Sequence, residues 1–365
     1  MQAAARRSLR RWLVRLVLPA LLTGCATTPA PQPPPPSPLK TPDIRISADG
    51  RTASLRLDVL TFNIEGVPGR GGRGGELRRI GEHLAQMRQA GEAPDIVLFQ
   101  EAFSAEAKYA VRSAGYAEVA FGPARKQRRQ LPGAGSRSGH KWSKGELGLK
   151  LVGSGLAIAS VYRLETTASE PFSRRACAGF DCLSNKGALF ARVVIPGMPG
   201  ALDLFDTHMN AQGASRVSAR RHLPVHRAQV WELFDFMSAH REPRNPVLLG
   251  GDFNMRRSLP RFDVFRATQR LQLAQQYCMA QPDFCQVQMS WDGDAPWMDT
   301  QDLQLFQSGQ SVTIRPIREE SLFDGKPGSP QLSDHDGYRV IYELSWPVAS
   351  AAPSQIGRPS AKSPP

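Results

Sequence analysis

Polar residues able to do chemistry stand repeatedly at the ends of strand-like runs in this chain. Leu55-Arg-Leu-Asp-Val-Leu-Thr-Phe-Asn63 alternates at Leu55, Leu57 and Val59 and reads as a strand that finishes on Asn63. Leu77, Ile80, Leu84 and Met87 then recur at helical spacing and stop before Gly91. Pro94-Asp95-Ile-Val-Leu-Phe-Gln100 follows as a short buried strand with Glu101 at its exit. The same order returns later: a helix within 217–237, interrupted early by Pro224, precedes the strand Pro246-Val-Leu-Leu-Gly and its exit Gly251-Asp252-Phe253-Asn254. The run Ala201 to Asn210 alternates so that Asp206, His208 and Asn210 share one face of a strand end. Ser333-Asp334-His335 precedes a closing strand from Gly337 to Leu344. Such a pattern predicts an α/β chain whose sheet edge gathers these groups into one cleft.

The ends of the chain limit how much of it can belong to that fold. Arg6-Arg7 and Arg10-Arg11, the apolar run Trp12 to Leu22 broken by Arg15, and Leu22-Thr-Gly-Cys25 describe an export signal over residues 1–24. The run is too short for a permanent membrane span, which needs about 20 apolar residues. Leu-Thr-Gly-Cys resembles the lipobox of bacterial lipoproteins, which implies acylation of Cys25 and a lipid anchor in a membrane; an ordinary secretory signal is the alternative. Residues 25–42 are proline-rich and read as an extended spacer, and 347–365 as a disordered tail. The body, 43–346, has no internal repeat and no second proline-rich break, so one domain is expected, and a monomer.

Of 5 cysteines, Cys25 belongs to the lipobox. Cys177, Cys182, Cys278 and Cys285 remain, an even number in an exported chain, and two local disulfides, Cys177 to Cys182 and Cys278 to Cys285, are the simplest pairing. Four free thiols are the alternative. Neither spacing suits a structural zinc site. A formal net charge of +13 favours anionic partners such as nucleic acid, phosphate esters or acidic headgroups.

Asn63, Glu101 and Asp334 are hard oxygen donors suited to Mg²⁺ or Mn²⁺. Asp252 and Asn254, one residue apart, point the same way from an extended segment and suit the orientation of an attacking water, with Gly250-Gly251 permitting close backbone approach. Imidazole titrates near neutrality, so His335 beside Asp334 is the candidate base, and His208 a donor toward developing phosphoryl charge.

Taken in order, Asn63, Gln100-Glu101, Gly155-Leu-Ala-Ile-Ala-Ser160, Asp206-x-His208-x-Asn210, Gly251-Asp252-x-Asn254 and Ser333-Asp334-His335 resemble the endonuclease/exonuclease/phosphatase superfamily. The resemblance implies a four-layer α/β/β/α sandwich of two central mixed sheets flanked by helices, and a Mg-dependent phosphodiesterase. It also implies the roles just given: metal at Asn63, Glu101 and Asp334, with catalysis by His335, His208, Asp252 and Asn254. A family aspartate that braces the basic histidine has no clean match in Asp299-Thr-Gln-Asp302; Asp302 is the choice and Asp299 the reserve.

Ser184-Asn-Lys186-Gly-Ala-Leu-Phe-Ala-Arg192 followed by Asp206-Thr-His-Met-Asn resembles the corresponding stretch of bacterial and neutral sphingomyelinases. That resemblance implies Lys186 as a substrate-phosphate contact, with Asn210 supporting. The basic stretch 124–149 carries Trp142 and suits acidic headgroups or a nucleic-acid backbone. The substrate therefore stays open between a phospholipid headgroup and DNA or RNA, and a non-catalytic binding module is the contrasting class.

Overall fold

Sequence periodicity translates directly into the first elements. β1 (Arg45–Ile46) pairs with β2 (Thr52–Asn63), and α1 (Arg73–Ala90) buries Leu77, Ile80 and Leu84. Gly91 closes α1 at φ +74°, a backbone shape that L side chains resist. β3 (Ile96–Gln100) is buried along its whole length, and α2 (Ala105–Ser113), β4 (Glu118–Phe121), β5 (Ala157–Ser160) and β6 (Arg163–Pro171) follow. Next come β7 (Gly187–Val194), β8 (Leu202–His208), α3 (Ala219–His240) and β9 (Val247–Asp252). The chain finishes with α4 (Leu259–Thr268), β10 (Gln272–Leu273), α5 (Ala274–Ala280), β11 (Gln286–Gln288), β12 (Asp302–Gln307), β13 (Thr313–Leu322) and β14 (Gly337–Pro347).

The computed structural model describes residues 32–69, 72–134, 141–289 and 300–348. The chain divides into two units, Met1–Gln32 and Pro33–Pro365, and every described element belongs to the second. The leader 1–24, Cys25, residues 349–365 and Asp299 lie outside the described residues.

Two mixed sheets pack face to face between helices, which is the expected sandwich. One sheet runs β11-β13-β14-β2-β3-β5-β4 with β1 on the side of β2; the other runs β10-β12-β9-β8-β7-β6. The alternation of strand side chains assigns the faces. In the second sheet Leu189, Ala191, Val193, Leu202, Leu204 and Leu248 join the core between the sheets. Their neighbours Phe190, Phe205, Leu249, Leu303 and Leu305 face outward onto Val230, Leu233 and Phe236 of α3 and Phe262 and Phe265 of α4. By the same parity His208, Asp252 and Asp302 point inward, toward the first sheet.

Three sequence expectations shift. α3 runs unbroken through Pro224, in its second turn, where the ring forfeits one backbone bond to the Arg220 carbonyl without ending the helix. The proline-rich stretch is bonded to the body in its second half: Ser37 N–H donates to the Gly115 carbonyl (3.2 Å), Lys40 N–H to Val161 (2.9 Å), and the Lys40 ammonium meets Asp95 at 2.6 Å. At the other end Pro347 completes β14, and Val348 N–H donates to Arg51. Both local disulfides form, Cys177 to Cys182 and Cys278 to Cys285.

Candidate active site

Strand register builds the floor of the site. Across three neighbouring strands of the second sheet Asp302 stands opposite Asp252, and Asp252 opposite His208. This row of inward side chains meets the end of the first sheet, where Asn63 pairs with Gln100 and Glu101 follows at the strand exit. The Asn63 amide donates to Asp252 Oδ2 at 3.0 Å and joins the two sheets at this point. Gly251 makes the row possible: a Cβ there would lie 2.1 Å from the Thr207 carbonyl of β8.

Glu101 and Asn254 hold positive φ, +59° and +52°, which turns both out of their strands at the cleft. Asn254 N–H donates to Asp252 Oδ1 (2.9 Å) and its amide to the Met209 carbonyl (3.1 Å), so its side chain ties the β9 exit to the β8 exit. His335 Nδ1 lies 2.5 Å from Asp302 Oδ2, which makes Asp302 the brace that sequence left ambiguous. Nδ1 is thereby engaged, and Nε2 is on the cleft side, 3.5 Å from the Gln301 amide that also lines the cleft. Burial pulls His335 toward neutrality, but the charge and hydrogen bond of Asp302 outweigh it and raise His335 to about 10. Burial would likewise raise Asp252; the surrounding His208, His335 and Lys186 overcome it and hold the carboxylate well below its usual range.

Asp252, Asp302 and His335 bring ligand-capable atoms within 4.8 Å of one another, a different group from the expected metal set Asn63, Glu101 and Asp334. The 2.5 Å contact occupies the Nδ1 face of His335, so the group reads as a base and its supports rather than a cation cage. Glu101 and Asp334 both line the cleft, and among the described residues Asp334 has no ion-pair partner. Asn63 is buried at its base, with Oδ1 also accepting Glu65 N–H at 3.1 Å.

Lys186 is 6% exposed and reaches His208 Nε2 (2.9 Å), the Met209 carbonyl (3.0 Å) and Asp181 Oδ1 (3.0 Å), so it underlies His208 at the cleft wall. Asn210, expected to support substrate binding, is fully buried and stands outside the cleft lining. Its Oδ1 accepts Ala178 N–H and its Nδ2 donates to Ala211, which makes it a loop brace. Asp206 is fully buried as well; burial pushes its carboxyl well above the usual range, and Gln100 donates to it across the sheets at 2.7 Å.

Sequence reasoning missed Arg261. This fully buried guanidinium donates to the carbonyls of Asn210 (2.6 Å) and Asn254 (2.8 Å), pinning the β8 and β9 exits together, and meets His222 at 2.8 Å. Its position one and four residues from the buried Phe262 and Phe265 was a usable signal. Asp181 was missed too: it bonds Lys186 and accepts Ala211 N–H.

The cleft encloses about 690 Å³. Its floor carries Glu101, Lys186, His208, Asp252, Asn254, Asp334 and His335, and its walls Val67, Pro68, Phe103, Leu151, Phe180 and Leu183. Residues 60–310 match the model of the Endonuclease/Exonuclease/phosphatase family. The chain belongs to that family. With membership goes the reaction class, hydrolysis of phosphoester bonds. Solved structures of similar fold include beta toxin 275-280 from Staphylococcus aureus, 17% identical, covering 78% of this chain and 99% of that one at TM-score 0.55. Sphingomyelinase C from Streptomyces griseocarneus is 18% identical, with 79% and 99% covered and TM-score 0.53. D. rerio TDP2 complexed with single strand DNA product is 15% identical, with 79% and 98% covered and TM-score 0.50. No curated protein sequence matches the chain.

Proposed function

We propose that the chain is an exported, metal-dependent phosphodiesterase that cleaves phospholipid headgroup esters in the manner of a sphingomyelinase. The observation that carries the substrate class is the division of the cleft, with a charged floor beneath walls of Val67, Pro68, Phe103, Leu151, Phe180 and Leu183. A headgroup phosphate suits that floor and the attached apolar moiety suits those walls. Sphingomyelinase C among the similar folds agrees with this reading. The two disulfides fit an oxidising compartment, and among the described residues no helix is long and apolar enough to cross a membrane. Acylation of Cys25 would supply the membrane anchor.

Glu101 and Asp334, with Asn63 at the base, would hold a divalent cation; they are hard oxygen donors, and Glu101 and Asp334 both line the cleft. Structures of that fold include a beta toxin mutant with bound magnesium ions. When bound, Mg²⁺ or Mn²⁺ supplies Lewis-acid polarisation of a phosphoryl oxygen and a positive charge that favours the neutral form of nearby His335. Asp252, oriented by Asn63 and Asn254, and His335, braced by Asp302, position and deprotonate the attacking water. His208 and Lys186 face the charge that develops on the phosphoryl oxygens.

The net charge of +13 and the likeness to a DNA-bound TDP2 favour a second reading, an exported nuclease. Sphingomyelin vesicles and plasmid DNA assayed in parallel decide between them. Release of phosphocholine with intact plasmid is the expected result, and nicked DNA with untouched sphingomyelin overturns the lipid reading. Hydrolysis of bis-p-nitrophenyl phosphate that persists in EDTA overturns the metal requirement.

A further inference from the structure

Among the exposed large apolar side chains, five stand close together in sequence and packing beside the cleft. Trp142 is 74% exposed, Leu147 43%, Leu149 53%, Leu151 54% and Phe180 38%. A single segment, 141–151, carries four of them, and Phe180 sits on the short 3-10 turn Gly179–Leu183 against which it packs. The display is anchored. Glu146, 1% exposed, accepts Gly179 N–H (2.9 Å) and Lys141 N–H (2.8 Å) and holds Arg221 through both oxygens (2.7 Å each). Leu151 N–H donates to Leu183 (2.6 Å), and Arg174 reaches the Gly148 carbonyl (2.8 Å). Gly145 lies so close to the turn that a Cβ would meet Phe180 at 3.0 Å.

Charge on the segment and beside it is mainly positive; Asp181, next to Phe180, is paired with Lys186. Lys141, Lys144 and Lys150 lie on the segment, whose one carboxylate, Glu146, is buried and paired. Arg174 and Arg175 line a recess of about 410 Å³ next to it with Lys150 and the Cys177–Cys182 disulfide. Leu151 and Phe180 also line the catalytic cleft, so the apolar group continues into its mouth. A rim of Trp and Leu interleaved with Lys and Arg is the composition that settles at the boundary between headgroups and acyl chains: the indole and aliphatic side chains leave water while the cations meet phosphates. On a freely soluble surface the same group would stay wetted at a cost with nothing to offset it.

We infer that the segment 141–151 and Phe180 form an interfacial docking surface for a phospholipid bilayer containing anionic headgroups, set so that docking brings the cleft mouth onto the lipid. The partner rests on the lipid reading above, but the surface is tested without turnover. Full-length protein and its Trp142→Phe variant are mixed, in EDTA, with phosphatidylcholine/phosphatidylserine vesicles that contain brominated acyl chains. The difference between their emissions isolates Trp142 even if an N-terminal anchor holds both proteins on the vesicle. Quenching of that difference signal by brominated lipid is expected, weaker without phosphatidylserine. An unquenched Trp142 overturns the inference. Quenching by a thymidine oligonucleotide and not by lipid overturns it in favour of a nucleic-acid surface. In a second arm, Leu147→Glu/Leu149→Glu should lower turnover of vesicle substrate by about 10-fold or more, while hydrolysis of soluble bis-p-nitrophenyl phosphate stays at the wild-type rate and controls for fold. Equal turnover on vesicles by this variant and wild type also overturns the docking role. Quenched Trp142 with no sphingomyelin cleavage would instead retain the surface and remove the substrate reading.

Discussion

Two buried carboxylates, one in each sheet, show how neighbours decide charge where burial is the same. Asp252 of the second sheet and Glu319 of the first are both almost inaccessible to water. Around Asp252 stand His208, His335 and Lys186, with donors from Asn63 and the Asn254 backbone, and its carboxylate is held well below the usual range. Glu319 receives one hydrogen bond, from the Tyr338 hydroxyl at 2.8 Å, and its second oxygen has no partner among the described residues. Burial raises Glu319 to about 8, with Tyr338 opposing only weakly. Burial alone thus gives a proton sponge in the middle of a sheet, whereas burial with a ring of cations gives a permanently ionised group at the end of one. The second arrangement can orient water and hold a developing phosphoryl charge in place.

The largest effects should come from breaking the charged ring. Asp252→Ala removes the ionised acceptor to which Asn63, Asn254 and His208 converge, and His335→Ala removes the base. Each should lower kcat on bis-p-nitrophenyl phosphate by at least about 10²- to 10⁴-fold with an unchanged far-UV circular dichroism spectrum. Wild-type turnover in either variant removes that residue from catalysis. Asp302→Asn keeps the shape of the brace and withdraws its charge, so kcat should fall by a smaller factor while KM holds, and an unaltered pH–rate profile would show that His335 does not depend on Asp302.

Next in size is Arg261→Met. Methionine fills the volume but donates nothing to the Asn210 carbonyl, which would remain buried and unpaired at about 1–3 kcal/mol, and leaves the Asn254 carbonyl with Gln212 as its remaining side-chain donor. The β8 and β9 exits would then separate slightly, and a roughly 10- to 100-fold loss in kcat is expected from misplaced reacting groups. Arg261→Lys should recover part of it, since an ammonium can still reach one carbonyl. A variant that loses thermal stability while keeping full kcat would make Arg261 a structural residue alone.

The same contrast explains what could be read from the chain before folding. The candidate residues at strand exits, Asn63, Glu101, His208 and Asp252, and Asp334 just before β14, are visible because strand periodicity and local motif place them without knowledge of partners. Sequence prefers Asp302 to Asp299 without a clean motif; the antiparallel register of β12 on β9 then sets Asp302 opposite Asp252. Asn210 shares its spacing with His208 yet lies past the end of β8, where the chain has left the strand and the alternation no longer applies. The spacing of Arg261 to Phe262 and Phe265 signals its burial, but its bond to the Asn210 carbonyl, 51 residues earlier, is encoded by no local pattern. The stretch 124–149 reads as basic because its charges are local, while the anchoring of 141–151 by Glu146 depends on Gly179 and Arg221.

The smallest expected effect concerns Glu319 and stability. The group is raised from 4.5 in an open chain to about 8 in the fold. Below pH 4.5 both states hold the proton and the residue costs nothing extra. Between the two values the unfolded chain releases its proton and the folded chain keeps it, so stability falls as pH rises, until the loss levels off above pH 8. Glu319→Gln keeps an acceptor for Tyr338 and cannot ionise. Its melting temperature should match wild type at pH 4.5 and exceed it by a few degrees at pH 9, corresponding to roughly 2 kcal/mol, less than the full displacement because a strained fold relaxes around a buried charge. The difference should grow steadily across the window between those pH values. A constant offset at all pH values would mean that Glu319 is already ionised beside Tyr338, and that the ring of cations around Asp252 is not what distinguishes the two sites.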